Sequence, residues 1–225
     1  MHRTLIKICG ITRLEDGIAA AEAGADFIGL NFYPKSKRYI QLNTAKRILD
    51  ALPQTVTPVG LFVDATRDEI HRIADALHLS HIQLHGNETP ALVEQLSNFA
   101  IFKSIPADRG TLSAQVNLWK NAHLPQLKTL LLETPNTGHA GGSGIENDWS
   151  TIAAFHKSGL FQGAPSLIAA GGLNADNVAA VIGAIHPYAV DVSSGVETSP
   201  GQKSAGKIHD FIQAVRLADQ IQGAG

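Results

Sequence analysis

The sequence is poor in several features that would narrow its class at once. It holds one cysteine, Cys9, one methionine and few aromatic residues, 6% of the chain. One thiol cannot close an intrachain disulfide, so a stapled secreted scaffold is excluded and a reducing cytoplasm is the expected setting. Excess charge of either sign is missing too: 18 basic and 20 acidic residues leave a formal net charge of -2. That balance argues against nucleic acid or an anionic membrane as the partner. No apolar run approaches the roughly 18–20 residues that span a bilayer. The opening "MHRTLIKICGITRLEDG" turns charged too soon for a signal peptide. No Pro-, Ser- or charge-rich linker divides the 225 residues, so 1–225 reads as a single domain. Metal-ligand spacing is lacking as well. The ten histidines include no HxH or HExxH pattern. His81 and His85 would lie ~13 Å apart along one strand. No metal is expected.

What is present is a regular alternation. Eight short apolar, β-branched runs read as strands: "TLIKIC", "FIGLNF", "TPVGLFV", "HIQLH", "AIFKSI", "LKTLLLE", "SLIAA" and "AVDVSS". Segments of helical period lie between them. Thr12 with Glu15 and Thr66 with Glu69 have capping-box spacing, and Thr89–Pro90 has the order of a cap and first-turn proline before "ALVEQLSNF". Asp148 and Asn174 are candidate caps for the segments that follow them, and "LSAQVNLWKNA" is the fifth helix. Eight strand–helix units in one chain of this length predict an α/β fold, a (β/α)8 TIM barrel, in preference to an open doubly wound sheet. In such a barrel the functional residues stand where strands end and βα loops begin.

Those positions hold chemistry. Leu5, Lys7 and Cys9 share one face of the first strand, and a lysine there points that face into the barrel. Cys9 is open to two readings, an inert apolar filler or a base or nucleophile whose pKa is lowered by Lys7 and a helix N-terminus. Glu133 ends the sixth strand, three strands from the first in a closed ring. It is either an exposed carboxylate or the proton donor facing Cys9. Gly171 and Gly172 follow the seventh strand, and Ser194 and Gly195 follow the eighth; both loops suit a phosphate. Asp191 is expected to pair with Lys7 inside the barrel, since a buried charge needs a partner; polarising the substrate is its alternative role. Arg38 could grip a carboxylate with two prongs or lie in a solvated basic loop. His85, at a strand end, is placed to touch substrate.

Several segments carry a resemblance. "KICGIT" (7–12), "YPKSKRYI" (33–40), "QLHG" (83–86), "GGSG" (141–144), "DWS" (148–150), "GGLN" (171–174) and "VDVSSGVE" (190–197) occur in this order over nearly the whole chain. Taken together they resemble the phosphoribosylanthranilate isomerases of tryptophan biosynthesis. The resemblance implies a barrel that needs neither metal nor organic cofactor. It would catalyse the Amadori rearrangement of N-(5-phosphoribosyl)anthranilate to 1-(2-carboxyphenylamino)-1-deoxyribulose 5-phosphate. It further implies Cys9 as base, Arg38 on the anthranilate carboxylate, the loops after strands seven and eight on the phosphate, and Glu133 as general acid. Here the chain departs from the family, which has aspartate at this position. The extra methylene moves the acid by ~1.5 Å, against a tolerance of ~0.5 Å. A second departure is "GGSGIENDW", with Ile145 and Asn147 where the family commonly has other residues. A phosphorylated small molecule is the expected ligand, and the chain is expected to be a monomer or homodimer.

Overall fold

The alternation closes on itself. In the computed structural model, which describes residues 3–133 and 147–223, eight parallel strands form a closed barrel in sequence order. They are β1 (Leu5–Cys9), β2 (Phe27–Asn31), β3 (Thr57–Phe62), β4 (His81–Leu84), β5 (Ala100–Pro106), β6 (Leu127–Glu133), β7 (Ser166–Ala169) and β8 (Ala189–Val192). β1 completes the ring by pairing with β8, in a register that sets Lys7 opposite Asp191. The helices are α1 (Leu14–Ala23), α2 (Leu42–Ala51), α3 (Arg67–Ala76), α4 (Pro90–Glu94), α5 (Leu112–Asn121), α6 (Trp149–Lys157), α7 (Val178–Ile185) and α8 (Ala205–Gly223). A 3-10 turn at Ser194–Val196 and a hairpin, β9 (Glu197–Ser199) with β10 (Gln202–Lys203), fill the loop after β8. The sequence pattern did not anticipate that hairpin.

Strands covered by helices outside and by side chains inside must be apolar on both faces. The β2 strand "FIGLN" is accordingly buried at every position. The inside is filled by Phe27, Val59, Phe102, Leu131, Ile168 and Ala189. The larger outer cluster joins Ile6, Ile8 and Leu132 of the strands to helix residues such as Ile70, Val116 and Phe211. His81 closes the lower end of the interior, its ring 5.9 Å from Phe27 and 5.6 Å from Phe102.

Helix ends follow local chemistry in part. Thr66 and Glu69 form the expected capping box, and the Asp148 side chain accepts the N–H of Thr151 at 3.1 Å. The Thr12–Glu15 box does not form. Arg13 is the N-cap of α1, and the Thr12 hydroxyl donates instead to the Gly201 carbonyl. Thr89 stands at the N-cap of α4 without a side-chain bond. That helix stops early, its chain tightening into bonds from Gln95 to Leu92 and Leu96 to Val93. Gln126 donates to the Val93 carbonyl at 2.8 Å, so this acceptor is satisfied without another helical turn. Asn174 caps the segment that leads into α7, its Oδ1 accepting the N–H groups of Asp176 and Asn177, while Asn177 stands at the N-cap position of α7 without a side-chain bond.

Candidate active site

The C-terminal ends of the strands converge on an open pocket of about 430 Å3, lined among others by Cys9, Arg38, His85, Glu133 and Asp191. Five residues singled out from the sequence thus meet in one place. A second pocket adjoins it through Glu133 and Asp191, and is lined by Gly171, Gly172 and Ser194. "GGSG" and Ile145 lie outside the described residues.

Cys9 is buried at the end of β1, and Lys7 below it is fully buried. Lys7 Nζ donates to Asp191 Oδ1 at 2.8 Å. Burial works against the lysine's charge, but Asp191 and the neighbouring thiol outweigh it and raise the Lys7 pKa. Lys7 therefore stands as a cation beneath the thiol, and Asp191 as its counter-ion in the pocket wall. For Cys9 itself, the sequence suggested a lowered pKa. Burial reverses the sign: desolvation pushes the thiol up more than Lys7 pulls it down. Space for both side chains comes from Gly29, paired with Cys9 in the sheet. A Cβ there would lie 2.8 Å from Cys9 Sγ and 3.1 Å from Lys7 Nζ.

Arg38 hangs from the loop after β2. That loop is held by Asn31 and Ser36: Asn31 Nδ2 donates to Ser36 Oγ at 3.0 Å, and Ser36 Oγ accepts the Arg38 N–H at 3.1 Å. The Arg38 side chain does not lie in solvent. Its Nε and Nη2 donate to the two carboxylate oxygens of Glu197, at 2.8 and 2.7 Å. One edge of the guanidinium is thereby taken, and among the described residues the Nη1–Nη2 edge has no hydrogen-bond partner and suits a carboxylate. Glu197 also accepts from Lys203 Nζ at 2.8 Å and from Gly201 N–H at 3.2 Å. Burial alone would raise this carboxyl, but Arg38 and Lys203 hold it below its ordinary range. Two cations around one anion leave this side of the pocket positive. Sequence reasoning quoted Glu197 only inside a motif and missed Lys203, because their partners stand far away in the chain.

His85 closes the opposite wall. Its Nδ1 is 2.8 Å from Gln83 Nε2. Burial, helped by Lys103 and Lys7, pulls its pKa down to about 3, so the ring is neutral. Glu133, at the end of β6, is close enough for its charge to act on Arg38. Asn147 follows 134–146 and pins the ends of β6 and β7, its Nδ2 donating to Ala170 O at 2.7 Å and Leu132 O at 3.4 Å.

In the second pocket Gly171 and Gly172 take φ of 91° and 67°, left-handed values suited to glycine. The N–H groups at the start of the α7 segment are not open to an anion, because Asn174 Oδ1 accepts those of Asp176 and Asn177 at 2.8 and 3.2 Å. Among the described residues, the N–H groups of Gly171, Gly172 and Ser194 donate to no acceptor, and these three suit a phosphate. Gly195 does not line the pocket; it packs on the Leu173 carbonyl, which any Cβ there would strike. Among the described residues no group of three His, Cys, Asp or Glu side chains could hold a metal ion, and no helix is long and apolar enough to cross a membrane.

Comparison with known proteins agrees with this geometry. Residues 6–214 match the model of the N-(5'-phosphoribosyl)anthranilate (PRA) isomerase family. The N-(5'-phosphoribosyl)anthranilate isomerase of Stutzerimonas stutzeri (strain A1501) is 46% identical over 211 residues, which cover 93% of this chain and 96% of that protein. The crystal structure of phosphoribosyl anthranilate isomerase from Thermotoga maritima superposes with a TM-score of 0.83 at 36% identity, covering 95% of this chain and 99% of that one. A further structure, of such an isomerase in complex with reduced 1-(o-carboxyphenylamino)-1-deoxyribulose 5-phosphate, gives a TM-score of 0.80 at 35% identity, with 95% and 99% covered. The chain therefore belongs to the N-(5'-phosphoribosyl)anthranilate isomerase family, whose reaction serves tryptophan biosynthesis.

Proposed function

We propose that this isomerisation runs by general acid–base catalysis between Glu133 and Cys9. The observation that carries the reading is their position: β6 and β1 stand three strands apart in the ring, and their last residues line one pocket from opposite sides. A substrate lying between them meets a proton donor on one face and a proton acceptor on the other.

The steps balance. Glu133 gives its proton to the ribose ring oxygen, the C1–O bond breaks, and the anthranilate nitrogen supplies the electron pair for a protonated C1=N bond. Cys9 as thiolate takes the C2 proton, and the C2–H electrons form the C1=C2 bond of an enolamine. Loss of the C2 hydroxyl proton and addition of a proton at C1 then give the ketone. Lys7, whose charge acts on the Cys9 side chain, stabilises the thiolate. The positive Schiff base adds a second cation beside the sulfur just when the base is needed. Arg38 holds the anthranilate carboxylate through its open edge, with His85 near it. Asp191 keeps Lys7 in place and faces the substrate, while Gly171, Gly172 and Ser194 hold the phosphate and Gly195 lets their two loops meet. Residues 1–225 act as one barrel domain in the cytoplasm, as a monomer or homodimer, on a small phosphorylated substrate and without nucleic acid or membrane.

Following the loss of phosphoribosylanthranilate fluorescence tests these roles. Cys9→Ala and Glu133→Ala are each expected to lower kcat by at least about 100-fold. Full activity in either variant removes that residue from the mechanism.

A further inference from the structure

Gln83 has no role in the scheme above, yet it is fully buried. It lies on β4 between His81 and His85, and the alternation of a strand puts all three on the inward face. Its Nε2 stands 2.8 Å from His85 Nδ1. Its Oε1 is buried with no hydrogen-bond partner among the described residues. An amide nitrogen can only donate, so with the Gln83 amide in this orientation Nδ1 carries the lone pair and the ring proton sits on Nε2. Turning the amide over would set two N–H donors where one acceptor now stands unpartnered.

We infer that Gln83 is a positioning residue that fixes His85 as the Nε2–H tautomer, so that its other ring nitrogen is a donor to the substrate's carboxylate. The second tautomer would turn a lone pair towards an anion and repel it. The backbone fixes the ring from below, with the His85 N–H donating to Phe62 O at 2.8 Å. The charged groups acting on the ring are Lys103 of β5 and Lys7 of β1; both oppose its protonation, so the tautomer rather than the charge decides what it offers. Arg38 then supplies the ionic half of the grip and His85 a neutral, directional half. This role rests on reading the Cys9–Glu133 pocket as the substrate site.

The test is long-range 1H–15N correlation on 15N-histidine enzyme at neutral pH, with the His85 signals identified by their loss in His85→Asn. The expected spectrum has Nε2 protonated and Nδ1 bare. A bare Nε2 in the wild type overturns the inference. Gln83→Met keeps the bulk and removes the donor, so the two tautomers should mix and KM should rise about tenfold or more with a smaller change in kcat. An unchanged spectrum in that variant overturns Gln83 as the cause, and an unchanged KM after a shifted tautomer overturns the role in binding. Failure of the Cys9 and Glu133 roles is read separately, from kcat in their own variants.

Discussion

Arg38 and Glu197 stand 159 residues apart in the chain and meet through two charge-assisted hydrogen bonds of 2.8 and 2.7 Å. The pair is largely buried, with side-chain exposures of 11% and 5%. It aims the guanidinium and ties the loop after β2 to the β9–β10 hairpin. Glu197→Ala leaves Arg38 and Lys203 as unpaired buried cations. Unfolding in urea should show a loss of about 3–5 kcal/mol, and KM for phosphoribosylanthranilate should rise more than kcat falls.

The Lys7–Asp191 pair separates stability from catalysis. Lys7→Met alone strands the buried carboxylate and should cost about 3–5 kcal/mol. The double variant Lys7→Met/Asp191→Leu removes both charges and should regain most of that loss, because a buried pair is often replaceable by apolar packing. Its activity should stay low, since the cation that acts most strongly on the Cys9 thiol is gone. Melting temperature and turnover, measured on the same three proteins, check this.

Gly29 makes the room that the Cys9 thiol occupies. In Gly29→Ala the new Cβ, placed 2.8 Å from Cys9 Sγ, displaces the thiol. A misplacement near 1 Å should lower kcat about 100-fold, with the substrate analogue still bound. Gly195→Ala strikes the Leu173 carbonyl instead. It should raise KM through the loops proposed to hold the phosphate and leave the thiol's reactivity toward alkylating reagents unchanged.

The pH profile follows from the environment of Cys9. In the proposed mechanism the active form has Glu133 protonated and Cys9 ionised, so kcat/KM should plot as a bell with one limb from each group. Activity falls on the alkaline side as Glu133 loses its proton, but the limb is positioned by the thiol, whose pKa burial has raised. It should therefore lie above the ordinary thiol value of about 8.5. In Glu133→Gln only the thiol still titrates, and the residual rate should climb with pH until Cys9 is ionised. A wild-type alkaline limb below the ordinary thiol value would contradict the buried, protonated resting thiol.

Much of the barrel was legible because strand and helix periods are local. "LKTLLLE" and "LSAQVNLWKNA" announce β6 and α5 from their own residues, and Thr66–Glu69 announces a capping box that forms. Thr12–Glu15 has the same spacing and fails, because the Thr12 hydroxyl finds the Gly201 carbonyl, a partner from the far end of the chain. Likewise α4 ends where Gln126 meets Val93. Each miss is a tertiary contact outbidding a local one.

The site divides along the same line. From the sequence alone came the strand ends, and with them Cys9, Glu133, Arg38, His85, Asp191 and the two glycine turns as residues worth naming. Alternation along a strand and the order of elements suffice for that. Only the closed barrel decided that Glu197 faces Arg38 and that Lys203 joins them. It also decided that desolvation outweighs Lys7 at the thiol. These are effects of burial and of charges brought together across the ring, and neither can be computed from neighbours along the chain.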